Sequence, residues 1–136
     1  METLTYLDTH VVVWLYGGEV QRIPAPARHH LESSELRISP AVCLELQYLY
    51  EIQRVRAPAL EVVSHLTQAL GLKVCDLPFS RVTQAALEQS WTRDPFDRLI
   101  TAQAACQQAW LLTKDETIGA HYPRALWGQE LPAGSR

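Results

Sequence analysis

Four aspartates, Asp8, Asp94, Asp97 and Asp115, fall where an α/β sheet would gather them, and Glu45 sits in the middle of a strongly apolar helical segment. Carboxylates collected in this way make a site for a divalent cation. Hard oxygen donors without histidine or cysteine select magnesium or manganese over zinc, and magnesium keeps several waters while taking one or two carboxylates directly. A cation so held polarises a phosphate and activates water. A phosphodiester is the natural substrate, because acids alone would repel its charge.

The elements that must position these acids can be read from periodicity. Leu4–Leu7 is a short apolar run that reads as a buried parallel strand, with Asp8 at its carboxyl end. Residues 109–113 repeat the arrangement, and Lys114-Asp115-Glu116 begins the turn that follows. If the two strands are neighbours the two aspartates meet, in the crevice where open parallel sheets bind ligands. Thr9, or Asp8 before it, can cap a helix through Tyr16 that Gly17-Gly18 stops. A second helix is predicted over 26–34 and a strand over 36–39. Ser39 then caps a third helix with Pro40 at its first position.

On a helical wheel of residues 41–55, apolar side chains cover roughly two-thirds of the circumference, beyond the ~100° stripe of an ordinary surface helix. One side is expected to face the sheet and another a partner. Glu45 lies between the edges of this arc, where a carboxylate without a counter-charge is costly. Further on, the pattern predicts a helix from Pro58 to Gly71 with Leu60, Val63, Leu66 and Leu70 on its apolar face. A strand over 72–75, helices over 79–91 and from Asp94 to about Gln108, a short helix over 116–120 and an edge strand over 125–127 complete the reading. Alternation of strand and helix argues for an α/β/α sandwich around a parallel sheet of four or five strands.

The chain has 136 residues, 47% of them hydrophobic, which suits one domain over residues 1–128 with a loose tail over 129–136. No apolar stretch is long enough to span a bilayer, and the N-terminus lacks a secretory signal, so a soluble cytoplasmic protein without a membrane partner is expected. Cys43, Cys75 and Cys106 are widely spaced in apolar segments and read as small buried thiols. Net charge is −3, which gives no global basic field of the kind that marks a simple nucleic-acid binder.

Most of the acids also have a purely structural explanation. Asp94 is a good N-cap, Pro95 a good first residue and Asp97 favours the positive end of the helix. Asp115 can cap the helix after it, as can Asp8. Glu45 has no such role. The segments Tyr6-Leu7-Asp8-Thr9-His10, Ser39 through Glu45-Leu46, Asp94-Pro95-Phe96-Asp97-Arg98-Leu99 and Leu112-Thr113-Lys114-Asp115 resemble, in order and spacing, the motifs of PIN-domain ribonucleases, most closely VapC-type toxins of toxin–antitoxin systems. The resemblance covers the chain from about Thr3 to Trp127.

It implies a PIN-like fold and metal-dependent endoribonuclease activity with Mg2+ or Mn2+, leaving 5′-phosphate and 3′-hydroxyl ends. It implies that Asp8, Glu45, Asp97 and Asp115 form the catalytic quartet and hold the metal, with Asp94 auxiliary. Thr113 would support the site through its hydroxyl, and Arg98 would hold a helix or a phosphate. A VapB-like antitoxin and a homodimer are the implied partners, the latter covering the outer face of the Glu45 helix.

Two other functions compete. A phosphatase with Asp8 as covalent nucleophile is one, although the haloacid-dehalogenase type would want an aspartate where His10 stands. A non-catalytic partner-binding domain is the other. His10, His29, His30, His65 and His121 show no metal-ligand spacing. Trp14, Trp91, Trp110 and Trp127 read as core or interface residues rather than base-stacking platforms.

Overall fold

A computed structural model describes residues 3–129. The expected tail over 129–136 therefore lies, from residue 130 onward, outside the described residues. The strands are β1 (Thr3–Leu7), β2 (Ser34–Ile38), β3 (Lys73–Val74), β4 (Trp110–Leu112) and β5 (Ala125–Leu126). They form one fully parallel sheet in the order β3-β2-β1-β4-β5. With right-handed crossovers this order places helices on both faces. Strand order reverses at β1, so the crevice opens between the ends of β1 and β4.

The helices are α1 (Thr9–Tyr16), α2 (Ala25–Glu32), α3 (Pro40–Glu51), α4 (Ala59–Leu70), α5 (Phe79–Ala86), α6 (Pro95–Ala105) and α7 (Glu116–His121), with a 3-10 turn at Val20–Arg22. The core is built from the central strands, with Tyr6, Leu7, Ile38, Leu111 and Leu112 almost fully buried, and from the helix faces that cover them, with Val11, Val12, Val42, Leu46 and Ile100. Burial on both sides of β1 and β4 explains why these strands read as continuous apolar runs.

Several boundaries differ from the sequence pattern. The third helix stops at Glu51, before Val55, because Gln53 turns into the left-handed region at φ 64° and Arg54 N–H closes back on Leu49 O at 2.8 Å. The sixth helix ends in the same way, with Gln108 at φ 51° and Ala109 N–H bonded to Ala104 O at 3.0 Å. Glutamine is not a residue that announces such a stop. In α4 the packing face is Ala59, Val62 and Leu66, whereas Leu60 is 86% exposed. The helix from Phe79 ends at Ala86, not Trp91, and Leu87 is 69% exposed. Trp91 instead leaves the helix to stack on His121, with ring centroids 5.1 Å apart and planes at 4°.

Candidate active site

The register Thr5↔Trp110, Tyr6↔Leu111, Leu7↔Leu112 brings Asp8 and Thr113 side by side at the carboxyl ends of adjacent strands. Asp8 N–H donates to Leu112 O at 3.0 Å. Its side chain is buried and serves two tasks. Oδ1 accepts the N–H of Thr9 at 2.8 Å, capping α1, and Oδ2 accepts the hydroxyl of Thr113 at 2.6 Å. Asp8 rather than Thr9 is thus the cap. Thr113 Oγ1 also accepts the N–H of Asp115 at 3.0 Å, so one hydroxyl ties together the two strand-end aspartates.

Asp115 caps α7 by accepting the N–H of Ile118 at 2.9 Å. Asp94 caps α6, accepting the N–H groups of Phe96 at 2.8 Å and Asp97 at 3.2 Å. The structural explanation of these acids therefore holds alongside any chemical one. Arg98 Nε donates to Thr92 O at 2.8 Å, which ties the start of α6 to the loop before it. Thr9, freed from capping, donates its hydroxyl to Glu45 of α3. This contact across two elements fixes the carboxylate that local structure leaves without a role.

The charges interact. Burial is the largest influence on Asp97, and Asp94, Asp115, Asp8 and Glu45 all add to it, pushing its carboxyl up to about 7. Burial also raises Glu45, opposed by the Thr9 hydroxyl and reinforced by Asp8 and Asp94. Asp8 is raised by burial, against hydrogen bonds from Thr113 and Thr9, with Asp115 adding to the rise. Five acids from the ends of β1 and β4, from α3 and from the start of α6 thus share one electrostatic neighbourhood.

Among the described residues the ion pairs are Arg22–Glu19 and Arg37–Glu35, neither of which neutralises these acids. The donor set fits a hard divalent cation in charge and chemistry. It does not form a finished cage: among the described residues no three His, Cys, Asp or Glu side chains stand ready to hold one ion together. An ion that retains most of its water needs only one or two of them directly.

Fold and site together define a parallel α/β protein with a cluster of acids at its topological switch point that no lysine or arginine neutralises among the described residues. The PIN domain family model matches residues 5–122. The chain is 35% identical over 127 residues to Ribonuclease VapC22 of Mycobacterium tuberculosis, spanning 90% of this chain and 95% of that one. It belongs to the PIN-domain family.

Solved structures share the fold. The crystal structure of VapBC2 from Rickettsia felis, bound to a DNA fragment from their promoter, superposes with a TM-score of 0.61 at 22% identity, covering 92% of this chain and 99% of that one. A toxin–antitoxin complex from Klebsiella pneumoniae gives 0.61 at 17% identity, covering 93% and 99%.

Three tertiary contacts escaped the sequence pattern. The Thr9–Glu45 contact joins residues 36 apart, and the Trp91–His121 stack links the loop before α6 to the end of α7. The third is a group of cations and rings around Trp14: Arg22 lies 4.7 Å and Lys114 5.7 Å from its ring centroid, with Trp127 at 5.8 Å and His10 at 6.1 Å. Only the lone Lys114, next to Asp115, offered a signal in the sequence.

Proposed function

We propose that the protein is a metal-dependent endoribonuclease, the toxin of a VapBC-type pair, and that residues 1–128 form its single catalytic domain. The observation that carries the reading is that Asp8, Glu45 and Asp115 all raise the carboxyl of Asp97, with no lysine or arginine ion-paired to these acids among the described residues and, besides hydrogen bonds, only His10 opposing the rise at Asp8 and Glu45. Family membership and the ribonuclease named among its relatives support it.

Asp8, Asp97 and Asp115 would hold Mg2+ or Mn2+ directly or through water, and Glu45 would hold or orient the hydrated ion. When bound, such an ion supplies charge neutralisation at the scissile phosphate and acidification of water. The chain's own residues prepare for this. Thr113 fixes the rotamer of Asp8 and the backbone before Asp115 with one hydroxyl. Thr9 aims Glu45 inward from α3. Asp94 and Arg98 hold the start of α6, and with it Asp97, in place. Water attacking phosphorus with departure of the 3′-oxygen leaves 5′-phosphate and 3′-hydroxyl ends, and no 2′-hydroxyl takes part.

A cytoplasmic setting follows from an RNA substrate, and no described helix is long and apolar enough to cross a membrane. The outer face of α3 exposes Leu44, Tyr48 and Ile52, an apolar patch that suits a homodimer. A VapB-like antitoxin is the partner in this reading, and a toxin–antitoxin complex is among the solved structures that share the fold.

Purified protein freed of any antitoxin is expected to cut RNA with Mg2+ or Mn2+, to stop with chelator, and to leave 5′-phosphate ends. Cyclic 2′,3′-phosphate products would refute the water attack. Chelator-resistant cleavage would refute the role of the acids as metal holders.

A further inference from the structure

An acidic crevice in a chain of net charge −3 does not by itself attract a polyanion. If RNA is the substrate, cations beside the crevice must hold the strand. The Trp14 group is the structure's answer. A cleft of about 350 Å³, at the lower end of what a small organic ligand occupies, runs from Thr113, Lys114 and Asp115 to Trp127 and Gln129. It adjoins the acid site, because Asp115, which lines it, also raises the carboxyls of Asp97 and Asp8. Lys114 is exposed and makes no ion pair among the described residues, whereas Arg22 is shared with Glu19 at 3.5 Å. Glu116 also lines the cleft, which makes Lys114 the cation on which an anion there depends.

Trp14 is buried and serves as a floor: its ring holds Lys114 and Arg22 by cation–π contact and carries Trp127 in a tilted packing. Trp127 is only partly buried and contributes to the cleft wall. A partly exposed indole and an ammonium that line one cleft can bind single-stranded nucleic acid, with the base on the ring and the phosphate on the cation. Residues 125–129 of this wall lie beyond the segment 5–122 that the family model matches.

We propose that this cleft is a nucleotide subsite, in which Lys114 holds the phosphate next to the scissile one and Trp127 stacks its base. The inference rests on the ribonuclease reading and names how that site grips its strand. Stacking on an indole needs an unstacked base, so the ligand is single-stranded RNA.

The test is fluorescence anisotropy of a fluorescein-labelled single-stranded RNA of random sequence with the full chain carrying Glu45→Gln, in Mg2+, across a salt series. Adding Lys114→Ala is expected to weaken binding several-fold and to reduce the salt slope by about 0.7, the value for one phosphate contact on a single strand. Trp127→Ala is expected to weaken it about tenfold with little change in slope, and Trp127→Phe to recover most of that loss. Lys73→Ala, on β3 at the far edge of the sheet, is the control and should bind as the parent does. Melting curves identify any variant that has lost its fold, and exposed Lys114 keeps the test decisive if Trp127→Ala unfolds.

If the unmodified chain cleaves RNA while the Lys114 and Trp127 variants bind and cleave equally well, the subsite is wrong and the ribonuclease reading stands. If the unmodified chain neither binds nor cleaves RNA, the ribonuclease reading fails and the subsite goes with it.

Discussion

Replacing Asp97 with asparagine should make the metal-free protein more stable while destroying its activity. In the native state the carboxyl of Asp97 is pushed from 3.8 up to about 7 by burial and by four neighbouring acids. Below about pH 4 it is neutral folded or unfolded. Between 4 and 7 the unfolded chain ionises first and is favoured. Above 7 both forms are charged and the loss is complete. Stability linked to Asp97 is therefore full at low pH and lost as pH rises through the folded value.

Three pKa units correspond to about 4 kcal/mol, but Asp97 is only half-buried, and solvent screening brings the figure to ~1–2 kcal/mol. A chain of this length unfolds with an entropy near 0.3 kcal/mol/K, so Asp97→Asn should melt ~3–7 °C higher at pH 8 in chelator. The gain should shrink toward zero near pH 4. Manganese should raise the wild-type melting temperature more than the variant's, because a ligand of the native state stabilises it. Scanning calorimetry at several pH values in EDTA, then in Mn2+, measures all three. Equal melting temperatures at pH 8, or a gain independent of pH, would show that Asp97 does not carry the repulsion assigned to it.

Glu45→Gln should reduce RNA cleavage at least a hundredfold with an unchanged circular dichroism spectrum; undiminished turnover would make Glu45 a structural residue held by Thr9. Thr113→Val removes a hydroxyl from the buried Asp8 and should cost about 1–3 kcal/mol in urea unfolding; an unaltered midpoint would mean that water replaces it. Leu44, 63% exposed on α3, should mark the proposed dimer face, so that Leu44→Arg yields monomers in sedimentation where wild type yields dimers. A wild-type monomer at micromolar concentration would dismiss that interface.

Much of the candidate site can be picked out from local sequence, because its acids occupy positions that local rules single out. Asp8 directly follows an apolar strand, Asp115 lies in the turn after another and caps α7, and Asp94 precedes a proline in the order that caps a helix. Glu45 stood out for the opposite reason, as a carboxylate with no local task. Helix ends were less legible where glutamine takes the left-handed turn at Gln53 and Gln108, a role that glycine usually advertises. The apolar face of α4 was misplaced by a residue or two because Leu60 and Leu70 are as hydrophobic as the residues that pack, and periodicity does not say which edge of a broad stripe meets the sheet. Tryptophan type alone points to core or interface: Trp14 and Trp110 are buried, whereas Trp127 is partly buried and lines a cleft together with Lys114.

The amino-acid order by itself determined the strands, the caps and the position of each acid within its element, since hydrophobic period and capping chemistry act over a handful of neighbouring residues. Tertiary structure alone decided that β1 lies against β4, that the Thr113 hydroxyl reaches Asp8, that Thr9 meets Glu45 and that Lys114 rests on Trp14. Those partners are separated by as many as 105 residues. Their meeting depends on which strand order buries the most apolar surface, a property of the whole chain that no local window contains.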